Sequence, residues 1–248
     1  MAALSAPGWL IRFVPRPQAR LRLICFPHAG GTALAFFRWA RRLPEDIEVV
    51  AVQYPGRAER QGHPMPGGMR TLVAGVRAAV APVAEQGPYA FFGHSMGAAV
   101  AYETALALRA TGVPGPEHLL VSGRSHQGPD LPESSDDQEA AMRLIRRLGG
   151  TSPALLEDAE TRKAILAMVT ADWRLLESYR PSLPEPPLSL PVTAMTGSHD
   201  PITEVDGMHS WSRVTGGPFA LNVFPGGHFY LDTAIDDVIA HITVVLRA

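Results

Sequence analysis

Residues 89–103 read YAFFGHSMGAAVAYE. The apolar run Tyr89-Ala90-Phe91-Phe92 has the composition of a buried strand, and Ala98-Ala99-Val100-Ala101-Tyr102-Glu103 that of a helix. Between them Gly93-His94-Ser95-Met96-Gly97 matches G-x-S-x-G, in which a serine sits on a strained strand-to-helix turn and the glycines admit close backbone approach. The pattern alone is weak, because a glycine-rich turn with an idle serine satisfies it. The strand before it and the helix after it supply the context that the chemistry requires.

The same alternation extends in both directions. Leu21–Pro27 and Ile47–Pro55 are short β-branched runs, separated by a helical stripe of Phe36, Trp39, Ala40 and Leu43 that ends at Pro44. Met69–Glu85 and Met96–Ala110 are predicted helices, His118–Gly123, Pro191–Gly197 and Phe219–Phe224 predicted strands. A last helix carries Ile235, Val238, Ile239, Ile242 and Leu246 on one face. Strands alternating with helices predict an α/β fold, with a mostly parallel central sheet flanked by helices. The 248 residues are expected to form a single domain.

Residues 125–190 interrupt the alternation. They contain no convincing strand and exceed what one crossover helix needs, so a helical lid insertion is expected there. Its stripes are Ala141, Leu144, Ile145 and Leu148, then Ile165, Met168, Val169, Trp173 and Leu176, followed by a proline-rich return from Ser182 to Pro191. Met142, Met168 and Trp173 are candidates for an adaptable apolar pocket, or equally for the insertion's own core.

Composition excludes several classes. A hydrophobic fraction of 46% with net charge −2 rules out a disordered chain and disfavours electrostatic nucleic-acid binding. Cys25 is the only cysteine, so no intramolecular disulfide or multi-cysteine metal cage can form, and a reducing cytoplasm fits. No basic residue precedes the first apolar stretch and no uncharged run approaches membrane-spanning length, so neither export nor membrane insertion is expected. No zincin, P-loop, dinucleotide or EF-hand motif is present, and neither metal nor cofactor is expected.

A serine hydroxyl is a poor nucleophile at neutral pH and needs a histidine base, whose tautomer a carboxylate must fix. With the chain order serine, acid, histidine that accompanies a strand–serine–helix turn, the base is His228, in the loop after the last strand. Asp200, ending the preceding strand, is the favoured carboxylate, with Asp206 and Asp232 as rivals. Oxyanion donors are expected from the amides of Met96, at a helix N-terminus, and Ala29, in the first strand-to-helix loop.

Taken together, CFPHAGG (25–31), YPGR (54–57) with Arg60, GHSMGA (93–98), Asp172 with Tyr179, Gly197 with Asp200, Trp211 and PGGHFYL (225–231) resemble the type II thioesterases of polyketide and nonribosomal-peptide assembly lines. The resemblance spans nearly the whole chain. It implies a free-standing α/β-hydrolase fold with a mobile lid, hydrolysing acyl groups from the phosphopantetheine thiol of acyl or peptidyl carrier proteins. On it, Ser95 is nucleophile, His228 base and Asp200 its orienter. No cofactor beyond the carrier's own phosphopantetheine is implied, and the chain is expected to act as a monomer. Because carrier proteins are typically acidic, Arg57, Arg60, Arg146 and Arg147 are candidates for docking. A carboxylesterase or acyltransferase on the same fold, or a non-catalytic carrier-binding module, are the alternatives.

Overall fold

Leu23 and Cys25 point to one side of their strand and Ile24 and Phe26 to the other, and all four are sealed from solvent. That double burial, repeated in every central strand, is what a parallel sheet covered on both faces demands. The computed structural model describes residues 8–128 and 137–248. Its strands are β1 (Leu10–Ile11), β2 (Leu21–Phe26), β3 (Ile47–Val52), β4 (Tyr89–His94), β5 (Leu119–Ser122), β6 (Val192–Gly197) and β7 (Phe219–Phe224). They form one sheet in the order β1-β3-β2-β4-β5-β6-β7, parallel throughout except for β1, which pairs antiparallel with β3. Two residues carry too little pattern for a sequence-based assignment, which is why β1 was not anticipated.

Helices α2 (Met69–Ala84) and α3 (Met96–Ala110) cover one face, burying Val76, Val80, Val100 and Leu108 against Ile24, Val50, Phe91 and Val121. Helices α1 (Phe37–Arg42) and α8 (Ile235–Val245) cover the other, where Trp39, Val238 and Ile242 meet Leu23, Val49, Phe92 and Leu120. Cys25 belongs to this second core and is buried there. The expected stripe from Phe36 to Leu43 divides into a 3₁₀ turn over Ala33–Phe36, capped by the Thr32 hydroxyl, and α1 proper.

Helices α4 (Gln138–Leu148), α5 (Pro153–Glu157) and α6 (Ala159–Glu177) lie between β5 and β6 in the chain. They share a small core of Met142, Ile145 and Leu156, with Ile165, Leu166 and Val169 packed on it. The Asp137 and Asp158 carboxylates cap α4 and α6 by accepting from the amides three residues on. The return to the sheet runs along α3, where the Tyr102 hydroxyl donates to Ser182 O and Arg109 to Pro186 O. The short helix α7 (Tyr230–Thr233) follows β7. No helix among the described residues is long and apolar enough to cross a membrane.

Candidate active site

Ser95 stands between β4 and α3 with φ 54° and ψ −117°, a backbone conformation that costs free energy for any residue with a Cβ. The flanking glycines make it possible. A Cβ at Gly93 would strike the Gly97 carbonyl, and one at Gly97 the carbonyl of Phe26 on the adjacent strand. The turn is therefore wedged against β2, and Ser95 N donates to Ser122 O of β5 at 2.7 Å. Strain at a serine, held from both sides, is the signature the GHSMG pattern forecast.

His228 and Asp200 come together because the loops after β6 and β7 interlock. Ser198 N donates to Phe224 O and His199 N to Gly226 O, with Gly226 at φ 127°, and a Cβ at Gly197 would meet the Gly227 carbonyl. The result is a 2.7 Å bond between His228 Nδ1 and Asp200 Oδ2, both side chains buried. Ile202 N donates to the other carboxylate oxygen at 3.0 Å, fixing the plane of Asp200. With Nδ1–H given to Asp200, the acceptor lone pair of His228 resides on Nε2. Of the rival carboxylates, Asp206 begins a 3₁₀ segment and Asp232 lines the cavity, and the His228 bond goes to Asp200.

Ser95 and His228 open onto one cavity of about 500 Å³. Ala29 and Gly30 form part of its wall, and Met96 begins α3 directly after Ser95. Among the described residues neither the Met96 nor the Ala29 amide donates to a protein acceptor. Both are thus available to an oxyanion. On the far side the wall is apolar, built from Leu144 and Leu148 of α4 and Ile165, Val169, Trp173 and Leu176 of α6.

Trp173 stands on this wall, whereas Met142 and Met168 do not. Met142 turns instead into the small core between α4, α5 and α6. At about 100° per residue, Ile165, Val169, Trp173 and Leu176 fall within an arc of about 80°, and Met168 lies about 60° beyond its edge. Arg57 and Arg60 also depart from expectation: they are 2% and 5% exposed and cannot dock a partner. Arg60 lies on the Trp9 ring at 3.8 Å. Arg57 makes a bidentate pair with Asp172 of α6, whose Oδ2 also accepts from Gly30 N at 2.7 Å. One buried carboxylate therefore ties α6, the YPGR segment and the loop carrying Ala29. The sequence marked Asp172 only through the resemblance, because no local pattern reveals a partner 115 residues away.

Two further imidazoles crowd His228. The ring of His94 lies 4.8 Å from that of His228 and 6.0 Å from that of His28, and His94 Nδ1 contacts Ser122 Oγ at 2.9 Å. Burial, then the charge that His228 would carry, pushes His94 well below the usual histidine range and His28 down to about 3. Both stay neutral at physiological pH. Among the described residues no three His, Cys, Asp or Glu side chains converge as metal ligands.

The sequence profile of the thioesterase domain matches residues 21–245. The chain belongs to the thioesterase family. This thioesterase is 40% identical to thioesterase PikA5 of Streptomyces venezuelae, across 97% of its own length and 87% of the relative's. Its fold superposes on the RedJ thioesterase of the prodiginine pathway in Streptomyces coelicolor with a TM-score of 0.85 at 38% identity, covering 93% and 87% of the two chains. The type II thioesterase BorB from the borrelidin biosynthetic cluster gives 0.81 at 35% identity, covering 94% and 96%. The mostly parallel seven-stranded sheet is that of the α/β-hydrolase fold, and the enzyme acts on thioesters.

Two stability measurements check the site's electrostatics. Asp172→Asn leaves the Arg57 guanidinium buried without its counter-charge and should cost about 3–5 kcal/mol in denaturant unfolding. The Arg57→Met/Asp172→Leu double variant should recover most of that loss but not kcat, because Gly30 N still lacks its acceptor. A single variant as stable as wild type would contradict the assignment. For His94 and His28 the folded pKa lies below the unfolded value, so the unfolded chain binds more protons as pH falls below about 6.5 and stability is lost there, by up to about 1.4 kcal/mol per pH unit for each group. The denaturation midpoint should fall between pH 7.5 and pH 5. A flat midpoint over that range would show that these rings accept protons in the folded state.

Proposed function

We propose that this thioesterase releases stalled or wrong acyl groups from the phosphopantetheine thiol of acyl or peptidyl carrier proteins, through a Ser95–His228–Asp200 triad and an acyl-enzyme. The single observation that carries the triad is the buried His228–Asp200 bond at the same cavity as the strained Ser95. Membership among thioesterases of polyketide and nonribosomal-peptide pathways supports the substrate class.

In this reading His228 Nε2 takes the Ser95 proton as Oγ attacks the thioester carbonyl, and Asp200 stabilises the resulting imidazolium. The amides of Met96 and Ala29 hold the tetrahedral oxyanion, the former aided by the positive end of the 15-residue helix α3. The C–S bond then breaks and the His228 imidazolium returns its proton to the departing thiolate, which leaves readily because its conjugate thiol has a pKa of about 8.5, far below that of an amine. Water then enters, His228 activates it, and the acyl-Ser95 ester is hydrolysed. Helices α4 to α6 act as the lid: they supply the apolar wall against which the acyl chain rests, and Leu34 and Leu155 stand half exposed or more at its rim. Arg146 and Arg147 are exposed on α4 beside the wall residues Leu144 and Leu148 and face an acidic carrier protein.

Acyl-loaded carrier proteins, matched N-acetylcysteamine thioesters and oxygen esters provide the test. Wild type should release acyl groups from carriers with the highest kcat/KM, and Ser95→Ala should abolish release. Asp200→Asn should lower kcat by about 10³–10⁴ with the fold intact, since His228 then loses its tautomeric bias. Preference for oxygen esters, with no release from carriers, would make the enzyme a general esterase. Charge reversal at the docking surface gives a separate readout. Arg146→Glu should raise KM for the carrier-bound acyl group several-fold relative to KM for the matched small thioester; an equal change on both would remove Arg146 from the docking surface.

A further inference from the structure

Among the described residues Arg124 is the one arginine that lines the cavity, and the triad reading leaves its chemistry unused. It lies two residues beyond β5, on the strand whose Ser122 carbonyl accepts from Ser95 N, and so shares the sheet edge that carries the nucleophile. Its backbone is fixed by Trp211 Nε1, which donates to Arg124 O at 2.7 Å. The side chain is 4% exposed. Gly128, at φ 88°, backs the guanidinium so closely that a Cβ there would overlap it, while the Tyr179 ring stands 6.0 Å away, at the outer limit of a cation–π contact.

A buried guanidinium normally has its acceptors provided by the fold. Arg57 has Asp172 and the Gly31 carbonyl, and Arg16 donates to four backbone carbonyls. Arg60 also has an unpaired Nε, but it is stacked closely on Trp9 and is not part of the active-site wall. Arg124 alone combines burial with a place on the active-site wall, and among the described residues it has neither a carboxylate within ion-pair range nor an acceptor for Nε. Burial lowers its pKa to about 10, so it still carries its proton at neutral pH. The lining of the cavity is mostly apolar, and its oxygen-bearing side chains, Thr32, Ser95, Thr151 and Asp232, leave Arg124 Nε without a partner. A ligand in the cavity is placed to provide one.

Resting on the thioesterase reading above, we propose that Arg124 recognises an acceptor oxygen on the acyl chain, whether ketone, hydroxyl or carboxylate, and thereby favours oxygenated acyl groups over plain alkanoyl ones. A site built to hydrogen-bond a substrate oxygen discriminates against the analogue that lacks it, because the donor is then left unpaired.

The test compares kcat/KM for butyryl, 3-hydroxybutyryl, 3-oxobutyryl and malonyl N-acetylcysteamine thioesters in wild type, Arg124→Met and Arg124→Lys. These substrates carry no phosphate, so a change in selectivity belongs to the acyl chain and not to the carrier's arm. Arg124→Met should lower the ratio of an oxygenated substrate to butyryl by about tenfold or more. Loss for the 3-oxo and 3-hydroxy compounds identifies a neutral oxygen, and loss for malonyl alone a carboxylate. Ratios unchanged within about twofold in all three arms would overturn the inference. Arg124→Lys, which keeps the charge but not the planar fork, should retain an intermediate ratio. Should Arg124→Met fail to fold, wild type still decides through inhibition by non-hydrolysable thioether analogues. A 3-hydroxybutyryl, a 3-oxobutyryl and a malonyl analogue that all bind no tighter than the butyryl one would overturn the inference. Absence of Ser95-dependent turnover of every thioester is a different failure, which brings down the triad reading and this inference with it.

Discussion

The turn at Ser95 can exist only because β2, β4 and β5 hold it from both sides. A positive φ at a serine is unfavourable, and the chain accepts it where Gly97 lies against the Phe26 carbonyl and Ser95 N is drawn to Ser122 O. Those contacts require the strand order β2-β4-β5, and that order requires the parallel, doubly covered sheet. The position of Ser95 is therefore a consequence of packing across the whole central sheet. The Met96 amide follows from the same geometry, since α3 must start where the strained residue ends.

The rest of the site is assembled from loops, and each is tied by polar contacts that the sheet alone would not provide. Interlocked carbonyls and amides after β6 and β7 hold His228 to Asp200. Asp172 does the same for the loop of Ala29, but it reaches across from α6, so the helices that wall the cavity also brace that loop. Burying that ion pair is costly unless every lone pair and donor is satisfied, and here two guanidinium nitrogens and one backbone amide converge on a single carboxylate. Wall and loop are therefore tied together through one carboxylate.

Much of this was readable from local pattern. Alternation between strand and helix runs gave the sheet and its flanking helices, and glycines around Ser95 and before His228 marked turns whose backbone no other residue could follow. Asp200 could be chosen because a strand end places it beside His228. What local pattern does not carry is direction: Met142 and Met168 looked as suited to a pocket as Trp173, but a few tens of degrees of helix rotation turned Met142 into the insertion's own core and left Met168 off the wall. Arg57 and Arg60 looked like surface charges because their partners, Asp172 and Trp9, lie far away in sequence. Charge alone does not reveal whether it meets solvent or a buried carboxylate.

Intact-protein and peptide mass spectrometry after treatment with a serine-directed fluorophosphonate tests the central claim most directly, because it reports the activated nucleophile without a choice of substrate. The account predicts one adduct, on Ser95, forming rapidly in wild type and far more slowly in Asp200→Asn. No adduct, or labelling of another serine at the same rate, would contradict it.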